Sequence, residues 1–454
     1  MNLYSDYDAL LESLGHLRLP KRRERASQEL KMHVEVAVCE LSLERFSDFE
    51  VMLYQAVFSM MHSDDVVEQI GGAYAIRELI DCSSASIEQK VIRFANTLGQ
   101  TLRTAQDPVL IEMVARSLGH MARHTAVSHA DYVERELDRA LEWLRSMNTY
   151  RMLAACAILR EFASCAPTTF FVRARDFFEF IWRPLCEKRI ETRYAGAKAL
   201  SACLRMLQGR TYYLQWYCSV YQRMISRLAP DNINEDVTSR TTSSVGIPSH
   251  TAATANGVMK STSSALSLNA IPSSSSSSSM ISSTGGPQRV SSIESMHSAL
   301  LVIREMLRST DTFMLPRFKE VSRAVMAQTR HPSLIVRATI VHLLPELASF
   351  CPEIFGRYHL TDAAMMLTEA TKDDALRSCA LLSIGRMCRA IGKSLVYRCP
   401  DLLDVVAEAL IKHIAKDHGK DASFKASSSS SVPPSVRKAI RIISKYAEDD
   451  GMKV

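Results

Sequence analysis

At 454 residues the chain is long enough for two or three ordinary domains, or for one solenoid of stacked repeats. Hydrophobic residues make up 47% and aromatic residues 7%, and the net charge of +6 is spread over 55 basic and 49 acidic side chains. This even mixture argues against a nucleic-acid-binding protein. The one basic run, residues 21–25, is expected to be a solvated helix start.

The eleven cysteines form no C-x-x-C pair and no His/Cys spacing typical of zinc sites. Cys156, Cys203 and Cys379 lie in apolar helical stretches and are predicted to be reduced, buried and inert. The sequence has no signal peptide and no long apolar span. We therefore expect a soluble, cytoplasmic protein without a transmembrane segment.

Seven segments place small or apolar residues three and four positions apart, which predicts one amphipathic helix each. In chain order they are Gly71–Ile80, Val114–Ala122, Leu153–Ala163, Tyr194–Leu207, Ala299–Leu307, Ala338–Leu347 and Ala380–Ala390. Aligned positions in these helices are Ile76, Leu118, Leu159, Leu200, Ile303, Val341 and Ile384. Their separations are 42, 41 and 41 residues in the first four, then 38 and 43 in the last three. A period of about 40 to 47 residues is typical of HEAT and armadillo repeats, whereas a 34-residue repeat does not fit.

Each unit needs a partner helix, and Phe46–Met60 and Phe170–Trp182 are predicted to be two of these first helices. Residues 107–108 and 331–333 carry helix-start signals, and Pro167 and Pro352 follow predicted helices. Strand signals are nearly absent. The predicted fold is therefore all-α, a superhelical α-solenoid of HEAT or armadillo type.

Composition divides the chain into five segments. Residues 1–230 and 293–418 are predicted to be two blocks of repeats, separated by a Ser/Thr-rich, disordered insertion at 231–292 that contains Ser273–Ser279. Residues 419–434 are a predicted Ser-rich linker, and 435–454 begin a further helix. Because no polar capping repeat precedes Val454, we expect a fragment of a longer protein. The insertion is either a passive spacer or a regulatory phosphorylation target.

The motifs of catalysis are absent from the sequence, including the Gly-rich phosphate loop, catalytic-loop Asp and Asp-Phe-Gly of kinases. Residues 354–356 read Ile-Phe-Gly and lack the Asp, and Gly71-Gly72 lies within a helical pattern, where small residues let helices approach. We predict no catalytic residue, no cofactor and no cofactor-binding residue.

Two clusters could suggest a binding site. His120 and His124 stand four residues apart, with His129 close behind, but the sequence places no third and fourth donors nearby, so surface histidines and no metal site are predicted. The aromatic run from Phe170 to Trp182 could stack bases. Its helical spacing, and the acidic Asp176 and Glu179 within it, favour a packed helix seam.

Several stretches resemble the N-terminal HEAT region of the TOR family of phosphatidylinositol-kinase-related protein kinases. They are residues 92–96, 107–109, 112–113, 132–134, 139–144, 159–161, 170–171, 199–204, 215–217, 297–303 and 343–348, together with Pro167 and Pro352. The resemblance covers roughly residues 25 to 415. It implies a non-catalytic scaffold that contacts a Raptor-type subunit and a TOR dimer mate, with recruitment to endomembranes only through the complex. The family's catalytic regions lie downstream, so no catalytic residue is carried over.

Two alternatives remain open from the sequence. One is a stand-alone HEAT adaptor, such as a nuclear transport receptor or a phosphatase scaffold subunit, which scattered helical repeats alone would permit. The other is an enzyme with an unrecognised site, which no motif supports.

Overall fold

The structure is a computed structural model. It describes residues 3–83, 86–125, 130–210, 213–228, 292–392, 395, 398–399, 401–402 and 404–408. Within these ranges the chain is helical, with no strand. The helices are α1 (Leu3–His16), α2 (Pro20–Glu40), α3 (Leu43–His62), α4 (Val66–Ile80), α5 (Ile87–Thr104), α6 (Pro108–Thr125), α7 (Ala130–Arg145), α8 (Thr149–Cys165), α9 (Pro167–Val172), α10 (Ala174–Phe180), α11 (Trp182–Leu185), α12 (Ile190–Leu207), α13 (Tyr213–Leu228), α14 (Ser292–Ser309), α15 (Asp311–Met314), α16 (Phe318–Met326), α17 (Leu334–Phe350), α18 (Pro352–Tyr358), α19 (Leu360–Lys372) and α20 (Arg377–Ile391).

One set of helices forms a continuous stack. Here α4, α6, α8, α12, α14, α17 and α20 each pack on the next, and we call them the second helices. Six of them (α4, α6, α8, α12, α14 and α20) also pack on the helix or broken helix that precedes them, for example α5 on α6 and α13 on α14. At the N-terminal end, α1 and α2 both cover α4. The α-solenoid of two-helix repeats predicted from the sequence is confirmed.

The aligned residues of the predicted repeat lie at the centre of this stack. Ile76, Leu118, Leu159, Leu200, Ile303, Val341 and Ile384 are all fully buried. Full burial of one such aliphatic side chain stabilises the fold by about 1.5–3 kcal/mol relative to exposure. The period in the sequence is therefore the period at which the core repeats.

A side-chain hydrogen bond closes the turn between the two helices in four repeats. In each, a donor in the first turn of the second helix reaches the carbonyl oxygen of the residue six positions earlier. The bonds are Gln69 to Ser63 (2.7 Å), Arg193 to Glu187 (2.9 Å), Arg337 to His331 (3.2 Å) and Arg377 to Thr371 (3.0 Å). These bonds satisfy turn carbonyls that neither helix can pair.

The same donors correct one position of the predicted alignment. Gln69, Arg193 and Arg377 each lie seven residues before the aligned residue of their helix, whereas Arg337 lies seven before Leu344, not Val341. Leu344 is fully buried as well. It lies 41 residues after Ile303 and 40 before Ile384, so the second block keeps the regular spacing of the first.

Small residues allow the closest helix contacts, as predicted for Gly71-Gly72. A Cβ atom on Gly71 would lie 2.5 Å from the carbonyl oxygen of Leu14 in α1, and one on Gly72 would lie 3.0 Å from the sulfur of Met61. In the next repeat, a Cβ on Gly119 would lie 2.5 Å from Cβ of Glu161. Gly71 and Gly119 therefore let neighbouring helices approach within a distance that alanine excludes, whereas a methyl group at Gly72 would require a small shift of the Met61 side chain.

The predicted single helix over Phe170–Trp182 is wrong. The chain forms the short helices α9, α10 and α11, with breaks at Arg173 and Ile181. Pro184 explains the second break because it has no N–H and its ring crowds the carbonyl four residues earlier, at Phe180. Phe170 and Phe177 are nevertheless fully buried, with ring centroids 5.7 Å apart, so the aromatic run forms a packed seam as predicted.

The two predicted helix starts differ in their capping. The Oδ1 atom of Asp107 accepts hydrogen bonds from the backbone N–H groups of Val109 and Leu110, at 2.9 and 2.8 Å. Ser333 precedes α17 but makes no side-chain cap; its own N–H donates to Nδ1 of His331. Pro167 and Pro352 begin α9 and α18, two residues after the ends of α8 and α17.

Several predicted segments fall beyond what the structure describes. The Ser/Thr-rich segment from 231 to 291, the linker 419–434 and the helix at 435–454 lie outside the described residues. Ser292, predicted to end the insertion, is the first residue of α14.

We expect Gly71→Ala to destabilise the protein by about 1–3 kcal/mol, because the new methyl group overlaps backbone atoms of Leu14 and α1 must move away. Gly356→Ala is the matched control, since no atom lies within 4 Å of its Cβ position. In a helix, alanine is favoured over glycine by up to about 1 kcal/mol.

Urea unfolding midpoints followed by circular dichroism should therefore fall for Gly71→Ala and stay equal or rise for Gly356→Ala. Equal increases in both variants would show that α1 and α4 do not meet as closely as described.

Candidate protein-binding face

The solvent-facing sides of the second helices are polar and carry both signs of charge. Their accessible residues recur at helical spacing, for example Glu112, Arg116 and His120 on α6, and Arg304 and Arg308 on α14. Charges connect neighbouring helices: Arg160 lies 3.7 Å from Glu112, and Nε of Arg308 donates to Glu346 at 3.3 Å. We call this continuous surface the second-helix face.

A groove crosses this face where α6, α8 and α12 meet. Its floor is apolar and includes Ile111 from α6, Leu153 and Ala157 from α8, and Ala195 from α12. The cavity measures about 260 Å³. Small-molecule sites are generally on the order of 300–1,000 Å³, so this groove is better suited to side chains of a protein partner.

Charged side chains surround the apolar floor. Glu112 and Arg160 lie at one side, and Glu191 and Lys198 at the other. Arg160 also donates to Glu161 at 2.6 Å, which holds its guanidinium at the edge of the groove. An apolar centre with mixed charges around it is the usual anatomy of a protein interface.

Cys156 is the thiol in the groove floor. It is fully buried, and burial raises its pKa well above the ordinary range of a thiol. Cys203 on α12 is likewise fully buried with a raised pKa. Because only the thiolate is strongly nucleophilic, both side chains behave as small hydrophobic core residues, as predicted. Cys379, also predicted to be buried, is only partly buried on α20, where its thiol donates to the carbonyl oxygen of Leu376.

A buried histidine lies beside the groove, between α12 and α14. His297 is fully buried, its ring meets that of Tyr194 edge to face at 5.8 Å, and neither ring nitrogen has a hydrogen-bond partner. Burial, together with the positive charges of Arg193 and Arg304, lowers the pKa of His297 to about 4. His297 is therefore neutral at pH 7.

The histidines that the sequence singled out lie in another cleft, at the junction of α4 and α6. Nε2 of His120 lies 2.6 Å from Oδ1 of Asp81, and Nε2 of His124 lies 3.1 Å from the same oxygen. Burial would raise the pKa of Asp81, but the hydrogen bond from His120 and the charges of His120, Lys31 and His124 outweigh it and lower that pKa. His129 lies outside the described residues.

No protein-family model matches the chain. Among curated proteins, it is 28% identical over 391 residues to the serine/threonine-protein kinase TOR of Arabidopsis thaliana. The matched region covers 86% of this chain and 13% of that protein. It is 25% identical over 386 residues to the serine/threonine-protein kinase tor1 of Schizosaccharomyces pombe, which covers 85% of this chain and 14% of that protein.

The chain resembles the TOR kinases. This similarity confirms the resemblance predicted from the sequence, and it extends over both blocks of repeats. The chain spans about 13% of the length of the TOR kinase of Arabidopsis thaliana.

Among solved structures, the fold is similar to yeast importin-β (Kap95p), with a TM-score of 0.48 and 10% identity, over 97% of this chain and 45% of that chain. It is also similar to importin β crystallised in an ammonium sulfate condition, with a TM-score of 0.49 and 11% identity, over 96% and 49% of the two chains.

Each of the described helices is too short or too polar to cross a bilayer.

The structure brings together residues that sequence reasoning kept apart. Asp81 stands 39 residues before His120, so it was not recognised as a neighbour of the histidines. The groove likewise combines residues of three repeats, none of which forms a local motif. The repeat period is the signal in the sequence that could have indicated this contact. Residues about one period apart lie at the same ends of successive second helices, and Asp81 and His120 are 39 residues apart.

We expect the stability of the protein to fall as pH drops from about 6.5 toward 4. In this range His297 is protonated in the unfolded chain but stays neutral in the folded one, which favours unfolding. The stability contributed by the neutral His297 is fully present above the unfolded pKa of about 6.5 and is lost progressively as pH falls to the folded pKa of about 4. Between pH 7.5 and 5.5 the loss from this residue is about 1 kcal/mol.

His297→Phe removes the titrating group while keeping an aromatic ring against Tyr194. Unfolding midpoints of this variant should change less between pH 7.5 and 5.5 than those of the wild type. The control His62→Phe, at an exposed position on α3, should retain the wild-type pH dependence. An unchanged slope in His297→Phe would contradict a buried neutral imidazole.

Proposed function

We propose that this chain is a non-catalytic scaffold segment of a TOR-type protein kinase, and that its second-helix face binds a Raptor-type subunit and supports assembly of the TOR dimer. The helical repeat architecture and the sequence similarity to TOR kinases support the scaffold role. The complex would act in the cytoplasm, with membranes reached only through other subunits.

The observation that carries this proposal is the groove between α6, α8 and α12. An apolar floor built from three successive repeats presents one recessed surface, and charged residues of both signs border it. Solenoids bind partners along such extended faces, since neighbouring repeats supply side chains at regular intervals. A partner would place apolar side chains in the groove and charged ones at its edges.

The absence of catalysis in this segment is part of the proposal. Cys156, the thiol at the groove floor, is kept protonated by burial, and the charged groups at the rim are paired or face solvent. General acid–base or nucleophilic catalysis needs a group with a suitably shifted pKa beside a reacting atom. We expect the purified chain to show no phosphotransfer from ATP.

We expect Ala195→Arg to weaken binding of a Raptor-type subunit by more than about tenfold, which corresponds to about 1.4 kcal/mol. The arginine would fill the groove from α12, because Ala195 lines it and is only partly buried. The control Ile92→Arg introduces the same side chain on α5, where Ile92 is 70% exposed and does not line the groove.

Affinity is measured by surface-immobilised binding of the purified chain and subunit, with circular dichroism to verify the helical fold of each variant. Equal affinities for Ala195→Arg and Ile92→Arg would exclude the groove as the docking site. A folded wild-type chain that binds no TOR-complex subunit would overturn the partner assignment itself.

A further inference from the structure

The cleft at the junction of α4 and α6 holds three side chains with metal-ligating atoms. Asp81 follows the last residue of α4, and His120 and His124 lie one turn apart on α6. The carboxylate oxygen and the two imidazole nitrogens all lie within 4.8 Å of one another. Histidines four residues apart on one helix face are a usual pair of ligands to transition metals.

The distances are close to those of a coordination sphere. Zinc lies about 2.0–2.1 Å from histidine nitrogen and about 2.0–2.2 Å from carboxylate oxygen, so ligands in a tetrahedron are roughly 3.3 Å apart. In the structure, Oδ1 of Asp81 lies 2.6 Å from Nε2 of His120 and 3.1 Å from Nε2 of His124. Small side-chain shifts would place the three atoms around a point about 2.1 Å from each of them.

Of the cationic side chains nearby, Lys90 and Arg123 bind other groups, and Lys31 pairs with the second oxygen of Asp81. Lys31 lies 3.6 Å from Oδ2 of Asp81, the oxygen that the histidines do not face. Lys90 donates to the carbonyl oxygens of Ile80 and Cys82 at the end of α4, and Arg123 donates to the sulfur of Cys165 at 3.7 Å. Lys31 therefore acts as an outer partner that orients the carboxylate, as such partners commonly do around bound metals.

The cleft also leaves room for a fourth ligand. It measures about 600 Å³, and the side chain of His124 is 42% exposed while those of His120 and Asp81 are 22% and 27% exposed. Three protein ligands with an open position to solvent is the arrangement of accessible zinc sites, where water completes the tetrahedron. Two imidazoles and one carboxylate favour zinc over calcium or magnesium, which prefer oxygen ligands.

We propose that Asp81, His120 and His124 form a Zn²⁺ site that links two successive repeats. The metal would join the C-terminal end of α4 to the last turns of α6, at a junction otherwise held by packing and by the hydrogen bond between Asp81 and His120. A bound ion adds to the stability of the folded chain by mass action, because the three ligands come together only when the two repeats are folded.

The test is a zinc titration of the metal-free 454-residue chain at pH 7.5 against a chromogenic chelator. One zinc per chain is expected, together with a rise in the thermal unfolding midpoint. His124→Gln and Asp81→Asn should each lose affinity by at least the roughly 10–100-fold that is typical for loss of an outer-shell partner. His62→Gln, an exposed histidine on α3, should bind zinc as the wild type does.

Cobalt(II) in place of zinc identifies the ligands. Nitrogen and oxygen donors give d–d bands alone, whereas a thiolate such as that of the exposed Cys39 adds an intense charge-transfer band. Circular dichroism without metal verifies that the His124→Gln and Asp81→Asn variants are folded. Failure of the wild type to bind zinc, equal affinity in His124→Gln and His62→Gln, or a thiolate band would each overturn the proposal.

Discussion

Each second helix must be covered on two sides by its neighbours in the stack. In α4 and α8 the buried residues surround the helix, so that ten of the fifteen residues in α4 and ten of the seventeen in α8 are buried. A helix that is apolar on most of its circumference cannot be stable in water alone. The stack meets this constraint by repetition, since each second helix from α6 to α17 is covered by the one before it and the one after it, and α1 and α2 cover the outer side of α4.

The sequence predicts this architecture well because the constraint acts locally and repeats. Leu118, Leu159 and Leu200 were aligned from spacing alone, and all three are fully buried. The error at Val341 is small for the same reason: Leu344, three residues on, lies on the same helix face, and hydrophobicity alone does not distinguish the two. The turn-closing hydrogen bond of Arg337 resolves the register, and a sequence does not show it.

Features that depend on contacts between repeats were not predictable. The broken helix at 167–185 is a different case, because Pro184 is a local signal for the break that competes with the helical spacing of the aromatic residues. Asp81 meets His120 only after two repeats have stacked. In the sequence His297 resembles any other polar residue of α14. Its pKa is low because packing of α12 on α14 buries the imidazole. The candidate sites therefore lie at the junctions, where single-sequence patterns carry the least information.

Contacts that join each repeat only to its neighbours also determine how the protein deforms. The turn-closing bonds of Gln69, Arg193, Arg337 and Arg377 fix the geometry within a repeat, whereas the pairs Glu112–Arg160 and Arg308–Glu346 span the junctions at the solvent-facing side. Stiff units joined by softer junctions behave as a spring, in which a small rotation at each junction adds to the next. Such a spring can absorb strain over many repeats without unfolding any of them. A zinc ion bound between α4 and α6 would prevent rotation at one of these junctions.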